Sequence, residues 1–220
     1  MICLICHLPF ESNLNFSSVF FLSAVEDAVC SSCFSKFQPI SNSHCPACCK
    51  NNVNTYCQDC LYWQNKGQKV NHRALFCYNQ AMKDYFSTYK FQGDYLLRKV
   101  FAKTVRKVLK NSRGYTLVPI PLSRSSLNSR GFNQVQAFLD EAKLPYSQLL
   151  GKNDSIKQSS KTRQERLSSQ QFFYLRKTKE LPDKVILVDD IYTTGATIQL
   201  ASQLLLENGV KTVKSFSLAR

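Results

Sequence analysis

The sequence predicts an α/β fold, a parallel sheet with helices on both faces, preceded by a small cysteine-rich module. Three observations carry this expectation. Residues 185–188 (VILV) are an unbroken apolar run of the kind that a parallel strand buried on both faces requires. They pass directly into Asp189-Asp190 and then into a helix start, Thr193-Thr194-Gly195-Ala196-Thr197. A second strand, loop and helix unit stands at residues 115–142, where a serine- and arginine-rich loop leads to the apolar positions Val135, Phe138, Leu139 and Ala142. Finally, four CxxC pairs are confined to the first 60 residues, which divides the chain into an N-terminal module, 1–62, and an α/β domain, 63–220.

In chain order the cysteine module comes first. Ten cysteines scattered at random would give about half a CxxC pair, so Cys3/Cys6, Cys30/Cys33, Cys45/Cys48 and Cys57/Cys60 are not an accident of composition. The two-residue spacer lets a tight knuckle aim two thiolates at one tetrahedral Zn²⁺, with two more supplied by another knuckle. Eight thiolates make two closed, structural sites. Sequential pairing puts Cys3, Cys6, Cys30 and Cys33 on one ion and Cys45, Cys48, Cys57 and Cys60 on the other; a cross-braced pairing stays open, and Cys49 or His44 could replace a neighbour. The segment is too short and polar to build a core without metal. Cys3 and Cys6 stand where the basic start of an export signal would be, and the apolar stretch at 19–25 is far too short to span a bilayer. The expected compartment is therefore the cytoplasm, where such thiols serve as metal ligands rather than disulfides.

Residues 62–73 read as a connection, and 74–78 as a strand closed by a turn at Asn79-Gln80. Gly93 permits a turn and Asp94 caps a helix from Tyr95. Its apolar positions Leu97, Phe101, Val105 and Val108 leave Arg98, Lys99, Lys103, Arg106, Lys107 and Lys110 on the other face. The strand at 115–120 ends at the prolines 119 and 121. After residue 197, Ile198, Ala201, Leu204, Leu205 and Leu206 continue a helix that stops at Asn208-Gly209, and 213–218 form a last strand.

In open parallel sheets ligands bind beyond the carboxyl ends of the strands, where Asp189 and Asp190 stand. Two acids there can hold diol hydroxyls or Mg²⁺. The hydroxyl-rich loop after them can turn backbone N–H groups and a helix dipole toward an anion. One sugar phosphate could span both. No GxxxxGK[ST] run occurs, which excludes a nucleotide-binding loop of that type. The 29 Lys+Arg against 15 Asp+Glu leave a net charge of +14, which points to polyanionic partners: nucleic acid, an anionic membrane or a highly phosphorylated substrate.

These residues carry a resemblance. VILVDDIYTTGAT (185–197) resembles the signature of type I phosphoribosyltransferases: four apolar residues, two acids, then TTGAT. Together with the four knuckles, KFQGDYLLRKV (90–100), VPIPLSRSSLNSRGFNQ (118–134) and the QxxxxRxxR pattern of Gln158, Arg163 and Arg166, nearly the whole chain resembles the ComF/GntX family of amidophosphoribosyltransferase-like proteins. Where that family carries Asn soon after the last arginine, this chain has Ser168-Ser169. The resemblance implies a type I phosphoribosyltransferase-like domain behind an N-terminal double zinc ribbon. It implies that Asp189 and Asp190 hold the ribose hydroxyls of phosphoribosyl pyrophosphate (PRPP), with Mg²⁺, and that Thr193, Thr194, Gly195, Ala196 and Thr197 hold its 5-phosphate. Residues 120–124, with Ser123 and Arg124, would form the pyrophosphate loop. Residues 157–169 would form a lid whose Lys161, Arg163 and Arg166 neutralise pyrophosphate.

Two functions follow as expectations of the resemblance. One is natural transformation: handling of incoming single-stranded DNA in the cytoplasm, with the ComFA helicase as partner and recruitment to the membrane-associated DNA-uptake machinery. The alternative is an active phosphoribosyltransferase with an unknown acceptor, for which no residue stands out as general base.

Overall fold

The computed structural model describes residues 1–11, 28–154, 172–178 and 180–220. Within them the chain runs through α1 (Ser31–Phe34), α2 (Gln58–Asn65), β1 (His72–Phe76), α3 (Gln80–Ser87), a π-helical turn (Thr88–Gln92), a 3-10 turn (Tyr95–Lys99) and α4 (Ala102–Leu109). It continues through β2 (Thr116–Pro119), α5 (Arg124–Arg130), α6 (Gln134–Glu141), β3 (Leu150–Lys152), β4 (Phe173–Leu175), β5 (Lys184–Ile191), α7 (Ala196–Glu207) and β6 (Thr212–Ala219).

Four strands form a parallel sheet in the order β1-β6-β5-β2. Side chains alternate across a strand, so β5 feeds two cores. Ile186 and Val188 enter one, with Phe216 and Leu218 of β6, Met82 and Phe86 of α3, Val105 of α4, and Val135 and Phe138 of α6. Val185 and Leu187 enter the other, with Val118 of β2 and Ile198, Ala201 and Leu205 of α7. Helices thus cover both faces, as the continuous apolar run requires.

The cysteine module straddles the β1 edge. Pro39 bridges Phe76 in antiparallel sense; Ile40 N donates to Leu75 O at 3.0 Å and Cys77 N to Gln38 O at 2.8 Å. Residues 38–40 therefore cap an edge whose unpaired groups would otherwise recruit another strand. Phe34 and Phe37 enter the first core edge-on to Phe76 and Phe101, whereas Cys45, Cys48, Cys57 and Cys60 lie in the second.

Some elements differ from expectation. The Asn79 side chain accepts the Met82 N–H at 3.1 Å and so starts α3 rather than only closing a turn. The stretch from Tyr95 is broken at residues 100–101, where fully buried Phe101 lays its ring among Phe34, Phe37, Phe76 and Tyr85. The serine- and arginine-rich loop contains α5, opened by Ser123, which accepts the Ser126 N–H at 3.3 Å, and closed by Gly131 in the left-handed region at φ 81°. β3 and β4 make a small antiparallel pair.

Candidate functional site

β5 carries Asp189 and Asp190 to the carboxyl edge of the sheet. A cleft of about 740 Å³ opens there, lined by the residues after β2, the end of β5 and the start of α7, with Lys90, Arg130 and Lys152 reaching it. Asp190 is buried and held from two elements: Lys90 Nζ lies 2.7 Å from Oδ2, and Gln134 Nε2 donates to the same oxygen. Arg130 donates in turn to Gln134 Oε1, and Tyr89 Oη to Gln134 O at 2.9 Å, which fixes the start of α6. Asp189 is only partly buried and accepts the Asp190 N–H at 2.9 Å. Burial and the Asp190 carboxylate push Asp189 up to about 7, with Lys90 and Lys152 acting the other way. Asp190 is thus the anchored acid. Asp189 lines the cleft beside it.

Gly195 stands at φ 84° immediately before α7, and a Cβ there would lie 2.2 Å from Tyr192 Oη and 3.2 Å from Trp63 Nε1. Only glycine fits, in conformation and in space. Behind it runs the twelve-residue α7, whose dipole and first amides favour an anion at the Thr193–Thr197 loop. The loop is held from behind by two residues that sequence reading did not single out. Trp63 Nε1 donates to Thr194 O at 2.7 Å, and the Arg220 guanidinium donates to Thr193 O.

The eight knuckle cysteines fall into two groups, Cys3/Cys6/Cys30/Cys33 and Cys45/Cys48/Cys57/Cys60, each with its sulfurs within 4.8 Å of one another. The pairing is sequential, not cross-braced. Sγ separations of 3.9 Å for Cys6–Cys30, 3.7 Å for Cys45–Cys60 and 3.5 Å for Cys48–Cys57 match the edge of a tetrahedron with Zn–S bonds near 2.3 Å, roughly 3.8 Å. Cys3 Sγ accepts the N–H groups of Ile5 and Cys30, and Cys45 Sγ that of Cys57, each at 3.4 Å. Four thiolates with such donors fit zinc. Neither Cys49 nor His44 joins the set: Cys49 Sγ contacts His72 O and the His44 ring contacts Ser41 O. Cys49 has another use, since it and His7, each following the second cysteine of a knuckle, take the left-handed conformation that closes the turn.

Of the expected pyrophosphate loop, Ser123 is buried as the cap of α5 and Arg124 is exposed at its first position, while Ser125, Ser126 and Arg130 line the cleft. Lys161, Arg163 and Arg166 lie outside the described residues. Lys90 and Gln134 were visible only as members of the runs 90–100 and 118–134; nothing local announces that they meet Asp190. Among the described residues, no helix is long and apolar enough to cross a membrane.

Comparison with known proteins agrees with this architecture. The phosphoribosyl transferase domain family matches residues 126–220. The chain is 47% identical to competence protein ComFC of Streptococcus pneumoniae (strain ATCC BAA-255 / R6) over the full length of both. It is 34% identical to competence protein ComFC of Bacillus subtilis (strain 168), over all of this chain and 95% of that one. Competence protein F of Haemophilus influenzae (strain ATCC 51907 / DSM 11121 / KW20 / Rd) is 22% identical over 75% of this chain and 78% of its own. The fold is type I phosphoribosyltransferase-like, with cysteine groups that fit a zinc ribbon.

Proposed function

The chain belongs to the ComFC family of competence proteins, and from that premise we propose that it handles incoming single-stranded DNA in the cytoplasm during natural transformation, with PRPP held in the cleft at the end of β5. The observation that carries the pocket reading is the meeting, in one cleft, of an acid pair, an anion loop at a helix start and the three cations Lys90, Arg130 and Lys152. Thr193, Thr194, Gly195, Ala196 and Thr197 take the 5-phosphate, and Asp189, beside the anchored Asp190, takes the ribose hydroxyls. The pyrophosphate end lies toward Ser123 to Ser126 and Arg130, with Lys161, Arg163 and Arg166 closing over it. Mg²⁺ enters with PRPP as part of the ligand, and Zn²⁺ resides in the two cysteine groups. Residues 1–62 are the metal-bearing unit and 63–220 the ribose-phosphate unit.

Support for the DNA reading comes from the net charge of +14 and from aromatic surface at the cleft. Phe91 is 76% exposed and Tyr78 40% exposed, and both line it. Aromatic faces stack any base, and a cationic groove follows the backbone of a single strand. Phe91 and Lys90 lie in a π-helical turn, a conformation concentrated at functional sites. The ComFA helicase as partner and recruitment to the DNA-uptake machinery complete the proposal on the strength of the family.

The test is genetic. A competent host carrying Asp189→Asn with Asp190→Asn in its only copy should transform at frequencies reduced by orders of magnitude, with binding of DNA at the cell surface unchanged. Transformation at the wild-type frequency, with the variant protein present at normal levels, would contradict the proposal.

A further inference from the structure

The two cysteine groups do not have equivalent surroundings. We infer that the second one, Cys45/Cys48/Cys57/Cys60, positions the anion loop through Arg220 and Trp63, whereas the first, set against the core on the other face of the sheet, does not; this rests on the reading of residues 193–197 as a phosphate-holding loop. Two connections leave the second group. Cys57 caps the start of α2 and Cys60 lies within it, so binding both sulfurs to one ion fixes the axis of that helix. Trp63 stands one turn further along, buried, and its indole N–H reaches Thr194 O at 2.7 Å across 131 residues of sequence.

The other connection is electrostatic. Four thiolates around one divalent ion leave a net negative charge, and the guanidinium of Arg220 answers it. Nε and Nη2 each lie 3.4 Å from Cys48 Sγ, and Nη2 lies 3.3 Å from Asp59 Oδ2. The opposite arm of the fork, Nη1, donates to Thr193 O. A planar fork serves both partners at once; a lysine ammonium on its flexible stem does not.

The consequence for the loop follows from peptide geometry. In a planar trans peptide the C=O and the following N–H point in opposite directions. Drawing Thr193 O and Thr194 O toward the module turns the N–H groups of Thr194 and Gly195 away from it, on the side where an anion loop needs consecutive donors. Gly195 permits the close approach, since Trp63 Nε1 would lie 3.2 Å from a Cβ there. The first group has different neighbours: Leu4, Ile5, Val29 and Phe34 around it pack against the core on the opposite face of the sheet from α7. Among the described residues none of its sulfurs is bonded to the loop.

Arg220→Gln and Trp63→Phe test the inference, with Cys3→Ser/Cys6→Ser as the control that removes the first site. Zinc content is read by chelator release, Mg²⁺–PRPP affinity by calorimetry, and loop anchoring by solvent exchange of the indole N–H, a single cross-peak because the chain has one Trp. Arg220→Gln that retains both zinc ions should bind PRPP about tenfold or more weakly and exchange its indole proton faster than wild type. Trp63→Phe should show the same loss of affinity, and the control should match wild type in both. The inference is overturned if both clamp variants keep wild-type affinity and Arg220→Gln keeps wild-type indole exchange, or if the control loses as much affinity as they do. Absence of PRPP binding by the wild type would sink the PRPP reading instead, and indole exchange in Arg220→Gln would still decide the clamp. If the control fails to fold, the two clamp variants alone decide.

Discussion

At the scale of the residue, Asp190 is tied down by Lys90 Nζ at 2.7 Å and by the Gln134 amide on the same oxygen, while Asp189 beside it accepts only the Asp190 N–H among the described residues. Asp189 and Asp190 are legible because their chemistry and their place after an apolar strand lie in one window. Their division of labour is not, because Lys90 lies 100 positions away and Gln134 more than 50; only the folded sheet brings them to Asp190. The Lys90–Asp190 pair is 12% and 8% exposed, so removing one partner strands a charge away from water. Lys90→Met should therefore cost about 3 kcal/mol in urea unfolding, and a loss below experimental error would show that Gln134 and solvent suffice for Asp190. His72 gives a second expectation. Its ring nitrogens contact Ser215 Oγ and Ser217 Oγ at 2.9 Å each, and burial holds its pKa well below the usual 6.5. The unfolded chain therefore binds the proton that the folded one refuses. Its contribution to stability is complete above pH 6.5 and declines as pH falls below that, by up to about 1.4 kcal/mol per pH unit. His72→Gln should flatten this part of the profile between pH 7 and 5.5; an unchanged slope would assign it to other groups.

At the scale of the element, β5 and α7 were readable from periodicity, as were the four knuckles from spacing, because each is specified by neighbours in sequence. The sequence marks only a turn where α3 begins, since the apolar positions Met82, Tyr85 and Phe86 are too few to declare a period before the chain enters the π-helical turn. α5 buries none of its residues, so no apolar stripe distinguishes it from loop in the sequence. Knuckle pairing stays open in sequence for a different reason: spacing within a knuckle fixes two ligands, whereas the partner knuckle is set by the fold, which brings Cys3/Cys6 to Cys30/Cys33 and Cys45/Cys48 to Cys57/Cys60. The π-helical turn presents Phe91 to solvent beside the cleft. If it is a stacking surface for DNA bases, Phe91→Ala should weaken binding of a single-stranded oligonucleotide by about 1–3 kcal/mol while leaving Mg²⁺–PRPP affinity unchanged. Equal affinity for the oligonucleotide would remove this turn from the DNA path.

At the scale of the whole molecule, the sequence exposed a surplus of positive charge but not where it is spent. Of the six basic residues expected on one helix face, Arg98 pairs with Glu141 at 3.0 Å and Arg106 donates to Ala142 O at 2.7 Å, so both hold α6 rather than a ligand. Lys107 and Lys110 remain exposed at the end of α4 and just beyond it. Should this face follow a DNA backbone, Lys107→Gln with Lys110→Gln ought to lower the slope of log affinity against log salt by roughly 0.7 for each phosphate contact removed; an unaltered slope would move the DNA elsewhere. The central claim, however, is the ribose-phosphate pocket. Calorimetric titration of Mg²⁺–PRPP into zinc-loaded wild type and into Asp189→Asn/Asp190→Asn tests it most directly. Saturable binding by the wild type, lost in a variant that keeps both zinc ions and its fold, is the predicted result; no binding by the wild type, or equal binding by both, would contradict it.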